Sequence, residues 1–447
     1  MSEGRGLARF LRGSRAPRVS ALPVLRLPAA PAVRGVRGLS AAPGFSTVRG
    51  LSGVRGIPAA RSGPVRARPI TWALGRVAEL RRFDWVLSLA VLGLGSISIL
   101  LVWSASQAFG QVGGVQPDYL KKQLVNLAIG LILMLAFGQV ESRRLRDWSA
   151  LGYAAAVMGV VAVLSPLGTS VNGARAWISL PGGYQVEPSE YAKLGLVLIT
   201  ARILGDVTAA DQRPRYRQLA LAAACAVPVI ILVAAEPALG VAAMLAVLVS
   251  GVIVLSGPRL RLLAAVGAMA AGAALAVWQA HLLKPYQAHR LATFINPSAD
   301  PTGVGYSAMQ AKIAIGSGGL LGHGLFHSAF VAGNFVPEQQ TDFIFAVAAR
   351  QVGFVGAMVI IALLSIVVVR ALQIAARAQD QFGMLLAGGI AIWFAVQSFV
   401  NIGMTMGIVP VTGLPLPFVS YGGSAMFADM IAVGWLQAVH RRRHIFS

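Results

Sequence analysis

Residues 84–105 read DWVLSLAVLGLGSISILLVWSA, and after Asp84 no charged side chain interrupts them. About 20 apolar residues in a helix cover the ~30 Å hydrocarbon core of a bilayer. A run that is apolar on every face has no polar stripe to turn toward water. It reads as a membrane-spanning helix, and nine similar runs follow at 123–140, 148–167, 188–204, 218–235, 239–256, 262–281, 343–369, 383–402 and 419–438. Glu236-Pro237 alone separates the fifth from the sixth. Composition agrees: 56% of the residues are hydrophobic and 12% charged, against roughly 25% charged in soluble domains. A soluble core is excluded. The expected fold is an all-α integral membrane protein of ten transmembrane helices.

The formal charge of +22 resembles that of a nucleic-acid binder, but its placement argues otherwise. Residues 1–82 hold 16 Arg and no Lys, against only Glu3 and Glu79. This stretch repeats Arg37-Gly38-Leu39-Ser40 as Arg49-Gly50-Leu51-Ser52, and its Gly, Pro and Arg content cannot bury enough apolar surface to order it. It reads as a disordered cytoplasmic tail lying against anionic lipid, with no nucleic acid as partner. It lacks the compact apolar stretch of a signal peptide. The lone Cys225 cannot form a disulfide within the chain.

Loop charge sets the expected orientation. Arg143-Arg144-Leu145-Arg146, Arg213 to Arg217, Arg259 to Arg261, Arg370 to Arg377 and Arg441-Arg442-Arg443 fall on alternate connections and at the C-terminus. The positive-inside rule then places both termini in the cytoplasm. The one long connection, 282–342 between the seventh and eighth runs, is extracellular, and a loop of that length is usually functional. The membrane domain is therefore 83–443, with 282–342 as its chemical loop.

That loop contains His289-Arg290-Leu291, Phe294-Ile295-Asn296-Pro297-Ser298-Ala299-Asp300-Pro301, Gly303-Val304-Gly305-Tyr306, Gln310-Ala311-Lys312, Gly316-Ser317-Gly318-Gly319-Leu320 and Pro337-Glu338-Gln339-Gln340-Thr341-Asp342-Phe343. Near the C-terminus stands Gly407-Ile408-Val409-Pro410-Val411-Thr412-Gly413-Leu414-Pro415-Leu416-Pro417-Phe418-Val419-Ser420-Tyr421-Gly422-Gly423-Ser424, and the fourth run opens with Pro188-Ser189-Glu190-Tyr191-Ala192-Lys193. These motifs, in this order over 83–443, resemble the SEDS family of peptidoglycan glycosyltransferases (RodA, FtsW and SpoVE). Phe335-Val336-Pro337-Glu338-Gln339 looks closer to RodA.

The resemblance implies an inner-membrane enzyme that polymerises lipid II. The growing strand, held as an undecaprenyl diphosphate, is attacked by the 4-hydroxyl of an incoming GlcNAc with inversion. It also implies a partner, a class B penicillin-binding protein that crosslinks the strands. A sugar hydroxyl is a weak nucleophile and needs a carboxylate to take its proton. Asp300 matches the family's catalytic Asp and is expected to be that general base; without the resemblance, an Asp before Pro301 in a Gly-rich loop reads as a turn cap. The leaving diphosphate gains charge in the transition state, so cations should meet it. Candidates are Lys193, Arg290, Lys312 and Arg175.

Glu190 and Lys193, three apart on one helix face, either pair or line a wet cavity, while Arg290 and Lys312 read equally as solvated charges. Glu338 and Asp342 flank Thr341 and either shape a helix start or lend acids to the site. The Gly- and Pro-rich 407–424 stretch must be buried or line a cavity. His281, His289, His323 and His327 match no zinc spacing, so no protein metal set is written here. A divalent Mg or Mn ion bridging Asp300 to the diphosphate fits the same chemistry.

Some positions depart from the family pattern. The common Pro-Asp-Leu-Gly reads Pro237-Ala238-Leu239-Gly240, with Glu236 just before it; the Gln before Pro-Ser-Glu is Glu187; a Glu-Glu pair is Arg350-Gln351; and Arg175 stands two residues before Trp177 rather than next to it. Asp429 lies inside the last run, where an acid invites a functional role. Two other readings remain at this stage: a lipid II flippase, which suits many helices with intramembrane charges, and a non-catalytic scaffold for the transpeptidase.

Overall fold

In a computed structural model the described residues are 83–442 without 112–118, 172–173, 182–183, 207–213, 237, 326–338 and most of 263–302; within that last stretch 264, 265, 267, 268, 272, 290, 292–296 and 300 are described. The basic tail and most of the seventh run lie outside them. The other nine apolar runs are helices: α1 (Trp85–Gln111), α2 (Tyr119–Gly138), α3 (Ser142–Leu164), α4 (Pro188–Gly205), α5 (Tyr216–Ala235), α6 (Leu239–Leu255), α8 (Ile344–Ala376), α9 (Gln381–Met406) and α10 (Gly423–Arg442). Between them lie α7 (Val304–Ser317) and three strands.

Six helices, α1, α2, α3, α5, α8 and α9, are long and apolar enough to cross a membrane, and α6 is a shorter apolar helix. α4, with Glu190, Lys193 and Arg202, and α10, with Asp429, Gln437 and His440, are too polar to meet that standard, yet they are among the most enclosed. All but three of the 18 residues of α4 are buried. Polarity inside a bundle meets protein rather than lipid, so hydropathy underrates the central helices. α2 and α3 bury only a stripe each and turn their remaining apolar surface outward.

Small residues set the closest approach. A Cβ on Gly434 of α10 would stand 2.7 Å from the carbonyl oxygen of Met134, and one on Gly130 of α2 would stand 2.9 Å from Met430 Cγ. Without a hydrophobic drive between helices in lipid, such backbone contact supplies packing energy. Asp84 accepts a salt bridge from Arg370 at 2.5 Å, and its backbone N–H donates to Gln437 at 2.9 Å, tying α1, α8 and α10 at one end.

Two features correct the all-α expectation of a bundle joined by plain loops. Residues 168–186 form an antiparallel sheet in the order β1 (Gly168–Val171), β2 (Ala174–Leu180), β3 (Tyr184–Val186), with Thr169 opposite Trp177 and Ile178 opposite Val186. The turn-prone Asn172-Gly173 and Pro181-Gly182-Gly183 separate these short strands in the sequence, a hairpin signal. The loop 282–342 also contains a helix, α7.

α8 is broken at Gly353, whose φ of 67° is left-handed. There the segment after α7 docks into the open ladder. Phe354 and Val355 donate N–H groups to the carbonyls of Gly319 and Leu320 at 2.9 and 3.1 Å, while His323 and Gly324 donate to those of Arg350 and Gln351, both at 3.0 Å. A Cβ on Gly353 would strike the Leu320 carbonyl, so only glycine admits this approach.

Candidate functional site

Asp300 is 9% exposed and stands at the start of α7. One carboxylate oxygen accepts the Gly303 N–H at 2.9 Å, and the other accepts that of Gly305 at 3.3 Å. Gly305 is in the first turn of α7, so the carboxylate satisfies an otherwise unpaired helix donor and sits at the positive end of the dipole. The turn-capping role is therefore present. It leaves acceptor capacity, because a carboxylate offers about four lone-pair sites. A Cβ on Gly303 would come within 2.5 Å of Asp300 Oδ2, so glycine is what lets the acid fold back over the helix end.

α7 carries Lys312 to the same side as Gly305. A cleft is lined by Arg290, Thr293, Phe294, Gly305, Ala308, Lys312, Gly407, Val409 and Val411. Two of the four predicted cations thus share one cleft, and Gly305 on its wall holds the Asp300 carboxylate. Gly407 ends α9 with a left-handed φ of 76°. A Cβ there would collide with the Lys312 side chain, so glycine at the α9 terminus leaves the space that the cation occupies.

Arg175, Glu190 and Lys193 do not line this cleft. Arg175 donates to the carbonyls of Gly168 and Ser165 at 3.1 and 2.7 Å, clamping β1 to the end of α3. Lys193 is fully buried. It donates to Glu190 at 2.6 Å and to the Gln397 side-chain oxygen at 2.9 Å, and its ammonium lies 4.8 Å from the Trp393 ring centre. Trp393 donates to that same Gln397 oxygen at 2.7 Å, and Gln397 donates to the Pro415 carbonyl at 2.8 Å. The pair therefore joins α4 and α9 to the 407–422 connection.

From Leu414 to Ser420 that connection is packed rather than open. Leu414, Leu416, Phe418 and Val419 are buried. Asn401 donates to the carbonyls of Leu414 and Asp342 at 2.7 and 3.0 Å, and the Ser420 hydroxyl donates to the Thr341 carbonyl at 2.6 Å. Thr341 and Asp342 are thus anchored before α8. Glu338, the remaining candidate, lies outside the described residues. Asp429 accepts the Phe418 N–H at 3.2 Å, which supplies the partner the sequence did not name.

A pair of acids emerges at the helix ends. Glu187 precedes α4, and burial followed by the neighbouring Glu190 pushes its carboxyl up to about 7. Glu236 ends α5; it is fully buried, neither of its oxygens has a hydrogen-bond partner among the described residues, and burial followed by Glu187 pushes it up to about 8. Sequence flagged each only as a departure from a pattern; that the charge of Glu187 is felt at Glu236 depends on how α4 and α5 pack. Among the described residues no group of three His, Cys, Asp or Glu gathers to hold a metal. The expected Mg or Mn ion, bridging Asp300 to the diphosphate, would rest on a single protein carboxylate.

A family model described as cell cycle protein, covering FtsW, RodA and SpoVE, matches residues 84–445. The chain belongs to the FtsW/RodA/SpoVE family. It is 38% identical to the peptidoglycan glycosyltransferase MrdB of Escherichia coli K12, over 81% of this chain and 95% of that one. It is 33% identical to the stage V sporulation protein E of Bacillus subtilis, over 80% and 97%. Among solved structures, the fold matches a chain of a peptidoglycan synthase complex that coordinates polymerization and crosslinking, with a TM-score of 0.65, 32% identity and coverage of 81% and 98%. It also matches the rod shape determining protein RodA of Thermus thermophilus, with a TM-score of 0.58, 29% identity and the same coverage. With its apolar helices, this makes the chain a multi-pass protein of the inner membrane.

Proposed function

We propose that this family member, a peptidoglycan glycosyltransferase like its curated relatives, polymerises lipid II with Asp300 as general base. The observation that carries the reading is the shared cleft: Arg290 and Lys312 face one space, and Gly305 on its wall is bonded to the Asp300 carboxylate. Asp300 takes the proton of the GlcNAc 4-hydroxyl as that oxygen attacks the activated sugar. Arg290 and Lys312 meet the departing undecaprenyl diphosphate, whose charge grows as the bond breaks. Glu190, Lys193 and Arg175 act from behind, by fixing the helices and the sheet. Ten spans with both termini cytoplasmic put this cleft outside the cell, where the arginine count leaves the chain least basic.

The partner proposed is a class B penicillin-binding protein, in keeping with the synthase complex among the structural relatives. The test is glycan polymerisation from labelled lipid II by the purified protein, alone and with that partner, comparing wild type with Asp300→Asn. Polymer from the wild type and none from a well-folded variant supports the reading. Equal polymer from both removes Asp300 as base, and no polymer under any condition returns the flippase or the scaffold.

A further inference from the structure

At the opposite end of the bundle, the turn joining α2 to α3 and the last turn of α10 enclose an open pocket of about 250 Å³. Its walls are apolar at Val140 and Ala438, and its rim carries Arg143, Arg441 and Arg442. We propose that this pocket binds the phosphate headgroup of an anionic glycerophospholipid, with the acyl region lying against its apolar wall.

The charges on the rim are unequal in availability. Arg442 is held by Asp380 at 2.7 Å. Arg441 gives one N–H to the Gly138 carbonyl at 3.1 Å, and a guanidinium has five to give. Arg143 makes no hydrogen bond or ion pair with any described residue. Glu141 lines the same pocket and offsets one charge. With Arg442 neutralised, the rim keeps an excess of a single positive charge, which matches one phosphodiester.

The start of α3 points the same way. Its first turn has no acid, and Glu141 at the N-cap makes no side-chain capping bond. A cation such as Arg143 is disfavoured at a helix N-terminus, where the exposed N–H groups carry partial positive charge. Ser142 lines the pocket and is 3% exposed, and its hydroxyl has no hydrogen-bond partner among the described residues. An anionic headgroup would meet these donors together with Arg143. α2 and α3 both qualify as spans, so the turn between them lies at the level of the headgroups. Basic pockets between spans on the cytoplasmic side are suited to phospholipid heads.

The experiment places full-length protein in nanodiscs of mixed phosphatidylglycerol and phosphatidylcholine and counts retained lipids by native mass spectrometry. Wild type is expected to retain phosphatidylglycerol preferentially. Combining Arg143→Gln with Arg441→Gln should weaken that retention by roughly tenfold or more, with polymerisation from lipid II preserved. Val140→Trp fills the pocket with every arginine in place and should give the same loss, so the test stands even where the charge variant fails to fold. Millimolar inorganic phosphate should not displace the lipid. Equal retention of the two lipids by wild type, retention unchanged in a folded variant, or displacement by phosphate alone would each overturn the assignment.

Discussion

The carboxylate of Asp429 accepts the backbone N–H of Phe418 at 3.2 Å, and Phe418, with φ of 63°, is the one non-glycine residue in left-handed conformation among those described. Such backbone costs an aromatic residue on the order of 1–3 kcal/mol and persists only where its surroundings fix it. The fixing group here is an acid buried to 1% in α10, with the Phe418 ring against Phe394 at 5.1 Å. Asp429→Ala should therefore lower stability by about 1–3 kcal/mol, the usual cost of stranding a buried donor. Asp429→Asn keeps an acceptor oxygen and should stay close to wild type. Thermal melting of the two purified variants separates them; equal melting would show that the bond fixes nothing.

Asp300→Asn should abolish polymerisation while leaving α7 in place. An amide oxygen keeps one of the two backbone bonds and caps a helix about as well as a carboxylate, but it takes no proton at neutral pH. Asp300→Ala loses both roles and should add a cap loss of about 1 kcal/mol to the loss of activity. Activity in the Asn variant within twofold of wild type would leave Asp300 with the cap alone.

Lys312→Ala should reduce turnover by roughly 10- to 100-fold, somewhat less than loss of a fully enclosed transition-state donor. Gly407→Ala should act through the same residue, because its Cβ takes the space of the lysine chain. Steady-state rates on lipid II test both, and a Gly407→Ala enzyme with unchanged rate would uncouple the α9 terminus from the site.

The bundle was legible from the sequence for a simple reason: a span must be apolar over about 20 residues, so length and composition alone mark it. Leu239–Leu255 ends one residue short of the run that announced it, and Trp85–Gln111 starts one residue after its run and continues six beyond it. What stayed hidden depended on contacts distant in sequence. α7 is flanked by Gly303 and by Gly316 to Gly319, whose glycines mask a helix of 14 residues. The clamp that Arg175 makes on Ser165 exists only once the strands pair. The motif at 407–424 was visible as a break, but its burial follows from Asn401, Gln397 and Asp429 reaching it from two helices.

Lys193→Met should destabilise the protein strongly, by about 3–5 kcal/mol, because it leaves Glu190 buried without its cation. Glu190 is 1% exposed, so bulk solvent does not reach it to screen the charge, and one of its oxygens already lacks a partner among the described residues. Adding Glu190→Gln should recover a good part of the loss, since the uncompensated charge disappears. Melting curves of the single and double variants read this directly, and a double variant no better than the single would show that Lys193 matters for something other than the pair.

Stability should fall as pH rises from about 5 to about 8. Glu187 and Glu236 have carboxyls raised from 4.5 to about 7 and about 8. Between the unfolded value and those values the folded chain holds more protons than the unfolded one, and stability then decreases with pH. Below about 4.5 both states are protonated and the slope from these groups vanishes; above about 8 both are ionised and it vanishes again. Glu187→Gln and Glu236→Gln should each flatten the profile and raise the melting temperature most at the alkaline end. Melting measured across pH 5 to 9 tests this, and parallel profiles for wild type and both variants would mean that the two acids ionise as freely in the fold as outside it.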